Sequence, residues 1–381
     1  MDPLTHTLVG ASLSETPLRR LSRLAAPTLI LAANAPDIDV MTMALGQDLS
    51  LGLRRGWTHG VLAMALLPLA LTAVVVATDR VVARLKPGRI PEPVRPVLAL
   101  SYVGVLTHPL LDWLNTYGIR FLMPFDGRWF YGDALYIIDP WIWLLTSTAV
   151  LLARSRTRLG QTAWLVLGVV LTSLVTGVAA VPSAARLIWI GGVGVIVALR
   201  ISGTPQSRIP KLATLCLTAA AVYITMMIVG SRIAARQVET WLAARGDTGI
   251  VVMAGPIPAN PFVRDVVVRD DSHYHFIELN WLRSEPIRVV GTPIERGRRD
   301  AIVEAALTTP IVRGVRTWMR FPAYHVETLA DGYLVTIRDV RYTRRDQRPF
   351  DPRTQEGFSL GTAVVELDRD LRVRVTTSPL Y

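Results

Sequence analysis

Apolar runs of membrane-spanning length alternate with short polar connections through the first 230 residues, and then the pattern changes. Residues 60–78, 160–181 and 210–230 are long enough to cross hydrocarbon as helices. Residues 97–113, 140–153 and 185–200 are shorter or less clean, and read as further spans of the same bundle. Two short helices, 4–18 and 24–36, precede them. The first carries Thr5, His6, Ser12, Ser14 and Glu15, too polar to face lipid. It must pack inside the bundle or lie at the interface.

After about residue 235 the long runs stop, and a polar, Arg-rich segment of about 145 residues follows, enough for one soluble domain. Val266-Val267-Val268, Tyr274–Leu279, Tyr333–Ile337 and Ala363–Leu367 are short β-branched or aromatic runs. Turn-forming Asp270-Asp271, Asp331-Gly332 and Asp368-Arg369-Asp370 separate them. A helix fits residues 298–307. The expected architecture is a polytopic α-helical membrane bundle, residues 1–235, followed by a β-rich extracytoplasmic domain, residues 236–381.

Composition agrees: 51% of residues are hydrophobic and the mean hydropathy is +0.35, too apolar for an ordinary soluble protein. The net charge of +11 divides unevenly, with 19 Lys and Arg against 11 Asp and Glu before residue 231, and 22 against 19 after it. The excess therefore sits beside the spans, where it speaks for topology and anionic lipid, and no nucleic-acid recognition motif accompanies it. The one cysteine, Cys216, lies in a predicted span, which excludes an internal disulfide and a cysteine-based metal site. Met1–His6 lack the basic stretch and cleavage site of a signal peptide. Basic clusters at Arg19–Arg23, Arg80–Arg95, Arg154–Arg158 and Arg200–Lys211 alternate with arginine-poor connections, and the positive-inside rule places all four in the cytoplasm. His6, Asp37, Asp39, His59, His108 and Asp112 then fall at the outer ends of their segments, with residues 231–381 outside.

Imidazoles and carboxylates are costly beside hydrocarbon, so their accumulation there marks a functional site. His108 and Asp112 are four apart and share one helix face, with Asn115 beneath them. Pro109 biases His108 away from helical geometry and removes a backbone bond. Asp37 and Asp39 follow Asn34 and Pro36 in a turn-like run. Thr58 suits the N-cap of the following helix, which keeps His59 neutral near the positive helix end, as a metal ligand must be. Asp133 and Asp139 are further carboxylates, for ligation or for orienting histidine rings, though Asp139 before Pro140 also suits a helix cap. Nitrogen and oxygen donors without thiolate suit zinc, or alternatively manganese or magnesium. His273 and His275 share a strand face, a pattern more typical of a solvated edge strand than of a metal clip.

Taken as a set, Pro36-Asp37-Ile38-Asp39, Arg55-Gly56-Trp57-Thr58-His59 and His108-Pro109-Leu110-Leu111-Asp112 with Thr116-Tyr117-Gly118 resemble a family of bacterial inner-membrane metal-dependent hydrolases, the LexA-regulated membrane-bound type. Pro124-Phe125-Asp126, Asp133 and Ile138-Asp139-Pro140 are similar to a subgroup of it. The likeness covers about residues 1–145, and Pro256–Pro261 resembles the subgroup's C-terminal extension. One departure is visible: the family pattern His-Arg-Gly-x-Thr-His-Ser has Arg54 and Gly60 at its outer positions here, so a histidine and a serine hydroxyl are missing. The order of an early His, an Asp, a later His and a His-x3-Asp is also reminiscent of zinc-dependent phospholipase C and P1-type nucleases, which cleave phosphodiesters.

The resulting expectation is a metal-dependent hydrolase of the bacterial inner membrane. It would act on an ester or phosphoester of a lipid or lipid-linked substrate at the outer face. His6, Asp37, Asp39, His59, His108 and Asp112 would be the metal ligands, with whichever of Asp37 and Asp39 does not ligate as the general base, and Asn34, Thr58, Asn115, Asp133 and Asp139 supporting residues. Two other classes compete. A transporter would line a midplane pathway with these residues, and a non-catalytic membrane protein would work through its C-terminal domain.

Overall fold

The computed structural model describes residues 1–45, 47–247, 249–343 and 361–377. The chain is helical first and β-rich afterwards, in two compact units. The first comprises residues 1–38, 55–230 and 256–261; the second comprises residues 39–54, 231–255 and 262–381.

In the first unit α1 (Pro3–Glu15) and α2 (Ala25–Asn34) form a short hairpin, and a 3-10 segment, Ala35–Leu45, continues α2. Asp2 caps α1 by accepting from Thr5 N at 3.1 Å, with Pro3 at the first position, where a missing N–H costs nothing. Helix α3 (Gln47–Leu53) belongs to the second unit. Helices α4 (Val61–Leu85), α5 (Val94–Trp113), α6 (Pro140–Arg154), α7 (Arg158–Gly177) and α8 (Ser183–Ile201) follow, then α9 (Ile209–Ala243). Among the described residues, six helical segments are long and apolar enough to cross a membrane: 25–45, 61–85, 94–113, 158–177, 183–201 and 206–243. The set differs in one member from the sequence expectation. Helix α6 has 15 residues, about 22 Å of rise, and falls short of a hydrocarbon core of about 30 Å. Its place is taken by α2 together with the 3-10 segment.

Helix α1 lies inside this unit, with Thr5, His6, Ser12, Ser14 and Glu15 all buried. Two glycines allow that. A Cβ on Gly10 of α1 would stand 2.6 Å from the Leu29 carbonyl oxygen, and one on Gly104 of α5 would collide with Ala32 and stand 3.1 Å from the same oxygen. Helix α2 is thus clasped from two sides at Leu29–Ala33, the close backbone approach that small residues permit in membrane bundles. At the far end of the α4–α5 pair, buried Asp79 receives Arg89 at 2.5 Å, Arg23 at 3.2 Å and the Glu92 amide at 2.7 Å.

In the second unit, β1 (Val251–Ile257), β2 (Asn260–Arg269), β3 (His273–Asn280) and β4 (Ile287–Val289) lie side by side in that order, and β5 (Ile294–Glu295) also pairs with β3. The last turns of α9 cover this sheet through Ala234, Val238 and Leu242 on Val266, Val268, Ile277 and Leu279. Helices α10 (Ala301–Leu307) and α11 (Pro310–Trp318) come next, then the meander β6 (Pro322–Leu329), β7 (Gly332–Asp339), β8 (Thr362–Asp368) and β9 (Val373–Thr377). Leu51 of α3, Val303 of α10 and Val312 and Val315 of α11 pack on Val335, Ile337 and Val365. At the β2–β3 turn, Asp270 accepts from the His273 amide at 2.6 Å and sits 2.6 Å from His275 Nε2, so the two histidines serve a turn.

The glycine clasp sets a testable sign. Replacing glycine by leucine inside a helix stabilises by about 0.8 kcal/mol through propensity alone, whereas overpacking costs about 1–3 kcal/mol. Gly10→Leu and Gly104→Leu should each lower the thermal unfolding midpoint of detergent-purified protein. Gly168→Leu in α7, whose new Cβ meets nothing within 4 Å, should not. A common upward shift in all three would refute the clasp.

Candidate metal centre

His108 and Asp112 meet because α5 continues helically through Pro109 to Trp113, which keeps the i, i+4 pair on one face. The His108 Nδ1 lies 2.7 Å from the Ala33 carbonyl oxygen. A carbonyl only accepts, so Nδ1 carries the proton and Nε2 presents a lone pair. The turn before α4 brings His59, whose Nδ1 is 2.9 Å from Thr58 Oγ1 and whose Nε2 is 3.1 Å from His108 Nε2. Asp37, in the 3-10 segment, contributes Oδ1 at 3.6 Å from His108 Nε2 and 3.9 Å from His59 Nε2. Asp112 Oδ2 stands 3.3 Å from His59 Nε2 and 3.5 Å from His108 Nε2.

These four side chains offer one ligand atom each, all within 4.8 Å of one another, a group able to hold a metal ion. His59, His108 and Asp112 are buried, and Asp37 alone is partly exposed. The group therefore opens on the Asp37 side.

The other residues singled out from sequence take varied places. His6 stacks on His108 with ring centroids 3.7 Å apart and reaches Asp112 Oδ1 at 3.3 Å through Nε2, while its buried Nδ1 has no hydrogen-bond partner. It flanks the four without being one of them. Asp39 belongs to the second unit, with its Oδ1 3.8 Å from Arg54 Nε. Asn34 accepts from Thr7 Oγ1 at 3.2 Å and donates to the Ile30 carbonyl. Asn115 accepts from Arg55 Nη1 at 3.0 Å and from the Tyr117 amide at 2.9 Å. Asp133 is buried with a left-handed backbone, φ 51°. Asp139 caps α6 by accepting from the amides of Trp141 and Ile142, and also accepts from the Tyr223 hydroxyl at 2.9 Å.

Sequence reasoning missed Arg55. Its Nε lies 3.1 Å from Asp112 Oδ2, its guanidinium stands over the Tyr117 ring at 4.4 Å, and it is buried. Its φ of 50° is uncommon outside glycine and asparagine. The signal was its place at the head of the Arg55-Gly56-Trp57-Thr58-His59 motif, where it was given no role of its own. The amino group of Met1 meets Asp112 Oδ1 as well.

Residues 1–184 match the YdjM inner membrane protein family. The YdjM match contains α1 through α7 and all four residues of the candidate centre, and it ends at the start of α8. In keeping with that similarity, six helical segments among the described residues are long and apolar enough to cross a membrane. No curated protein and no solved structure matches the chain.

The geometry separates ligands from neighbours. Elemental analysis of detergent-purified protein should find a divalent ion lost in His59→Ala, His108→Ala and Asp112→Ala but kept in His6→Ala. Thr58→Val should bind about 10–100-fold more weakly, the usual effect of losing a partner that orients a histidine ligand. Wild-type protein that cannot be loaded at micromolar zinc, or alanine variants at full occupancy, would remove the centre.

Proposed function

We propose that this chain is a metal-dependent hydrolase of the inner membrane whose substrate is an anionic phosphoester of a lipid or lipid-linked molecule. The observation that carries this reading is the convergence of two imidazole nitrogens and two carboxylates directly against a buried arginine. Zinc is the metal the donor set favours. Tetrahedral zinc with bonds of roughly 2.0–2.2 Å sets its ligand atoms roughly 3.3–3.6 Å apart. The separations among His59, His108 and Asp112 are 3.1, 3.3 and 3.5 Å, and Asp37 stands 3.6 and 3.9 Å from the two histidines.

When bound, such an ion lowers the pKa of water and polarises the substrate oxygen. The protein's own residues supply the rest. Ala33 and Thr58 hold the two rings in orientation, each through Nδ1. His59, His108 and Asp112 would hold the ion, and Asp37, the one member with an exposed side, is the non-ligating carboxylate assigned to accept a proton from attacking water; Asp39 is the other carboxylate of that run.

Charge selects among esters. Asp37 and Asp112 balance a divalent ion, both histidines are neutral as ligands, and Arg55, with the Met1 amino group beside Asp112, leaves the water-poor site net positive. A neutral carboxylic ester gains little from that field, whereas a phosphodiester or phosphomonoester gains a counter-ion. The likeness of the His, Asp, His and His-x3-Asp order to phosphodiester-cleaving zinc enzymes supports the same substrate class. The lipid part of the substrate follows from location at the membrane.

The test pairs two chromogenic substrates of similar leaving group, bis(p-nitrophenyl) phosphate and p-nitrophenyl acetate, on zinc-loaded full-length protein. Phosphodiester cleavage should be abolished by Asp112→Ala. Arg55→Gln should reduce kcat/KM for the phosphodiester about 10²-fold, the scale of removing one electrostatic donor from a buried site, and spare the neutral ester. Metal-loaded protein inert toward phosphoesters, or Arg55→Gln affecting both substrates equally, would sink the proposal.

A further inference from the structure

Helices α6, α7 and α8 leave a groove of about 580 Å³ between them, lined by Leu144, Leu151, Trp164, Leu171, Val193 and Ile196. Helices α7 and α8 are among the least buried of the apolar segments. At one end stands Trp189, whose Nε1 donates to Thr172 Oγ1 at 3.0 Å. At the other end stand Ser155, Gln161 and Arg200. From Trp189 to Arg200 is eleven residues of helix, about 16 Å, the reach of much of an acyl chain.

The polar end is strongly one-signed. Between Pro140 and Gly230 the sequence has seven arginine and lysine residues and no aspartate or glutamate. Arg154 is neutralised by Glu15 at 2.9 Å. Arg200 makes two hydrogen bonds to Ser155, at 2.8 Å to Oγ and 2.8 Å to the carbonyl oxygen. A guanidinium has five donors, so three are left for an acceptor at the groove mouth, held in place by the other two. Arg158 opens α7 at the same end, exposed, where the helix terminus also favours an anion.

We propose that this groove binds one anionic phospholipid, an acyl chain lying along α7 and α8 and the phosphate resting on Arg200 and Arg158. The charge decides the occupant. A zwitterionic lipid would fill the apolar part equally well but would set its own ammonium among unbalanced arginines. A basic pocket between helix ends is the form that recognition of anionic headgroups takes in membrane proteins. None of the three helices contributes a ligand atom to the candidate metal centre, so the groove stands or falls independently of hydrolysis.

Native mass spectrometry of delipidated full-length protein tests this with phosphatidylglycerol and phosphatidylcholine of identical acyl chains. Wild type should retain phosphatidylglycerol in preference, by about fivefold for each engaged arginine. Arg200→Gln should reduce the preference by about that factor while still admitting both lipids. Gly168→Leu, which fills the groove from a position with open space around it, should remove the preferred adduct without touching Arg200, and serves if Arg200→Gln fails to fold. Equal retention of the two lipids by wild type would overturn the proposal. So would a preference that survives Gly168→Leu, or a dimeric mass that Gly168→Leu converts to monomer, which would make a second copy the occupant.

Discussion

A fully buried carboxylate, Asp112, organises the helical unit. An ionised group withdrawn from water costs several kcal/mol unless charges and hydrogen-bond donors surround it. Asp112 cannot meet that demand from its own helix, where only His108 is within reach. It draws in Arg55 and His59 from the turn before α4, and His6 and the Met1 amino group from the start of α1. Features that look odd alone then make sense together. Polar α1 is interior because His6 must reach Asp112, and Arg55 holds a left-handed backbone where its guanidinium can engage both Asp112 and Asn115.

Much of this was legible in the chain, and the failures have definite causes. The alternation of long apolar runs and polar connections revealed a helical bundle before a β-rich region, because both periodicities are local properties. The four-residue spacing of His108 and Asp112 revealed a shared face for the same reason. Two aspartates in Pro36-Asp37-Ile38-Asp39 read alike, yet they point apart. The segment is a 3-10 helix, and three residues per turn set positions i and i+2 roughly 120° apart. Asp37 therefore joins the histidines while Asp39 faces Arg54. Arg55 was hidden because its partner is 57 positions away in sequence, and no local pattern distinguishes an arginine that folds inward from one left in water. Residues 140–153 are apolar enough for a span but not long enough, and length proved the stricter criterion.

The α4–α5 pair separates two kinds of polar chemistry. At one end, Asp79 is saturated by Arg23, Arg89 and the Glu92 amide, with Glu92 also taking Ser22 and Arg23. Every oxygen there has a donor, which suits a structural pin. At the other end, the His59 and His108 Nε2 atoms face each other with carboxylates on two sides and at most one proton to share. Such a cluster is able to hold a cation. The contrast between a satisfied knot and an electron-rich one distinguishes a site from a pin, although both consist of buried charge.

The orientation of His108 is tied to the backbone at the end of α2. Carbonyls in the last turn of an α-helix lose their intrahelical donors. At the end of α2 the chain tightens into 3-10 geometry, where each carbonyl accepts from the amide three residues on. For Ala33 that residue is Pro36, which has no N–H. The buried carbonyl oxygen has a side-chain donor in His108, whose Nδ1 lies 2.7 Å from it. Gly10 and Gly104 matter for the same contact, since only their lack of side chains lets α2 lie close enough to α1 and α5 for that bond to form. The proline that ends the helix thus also decides which nitrogen of His108 turns toward Asp37 and His59, and the presence of an inward-facing lone pair is a consequence of helix termination rather than of the histidine itself.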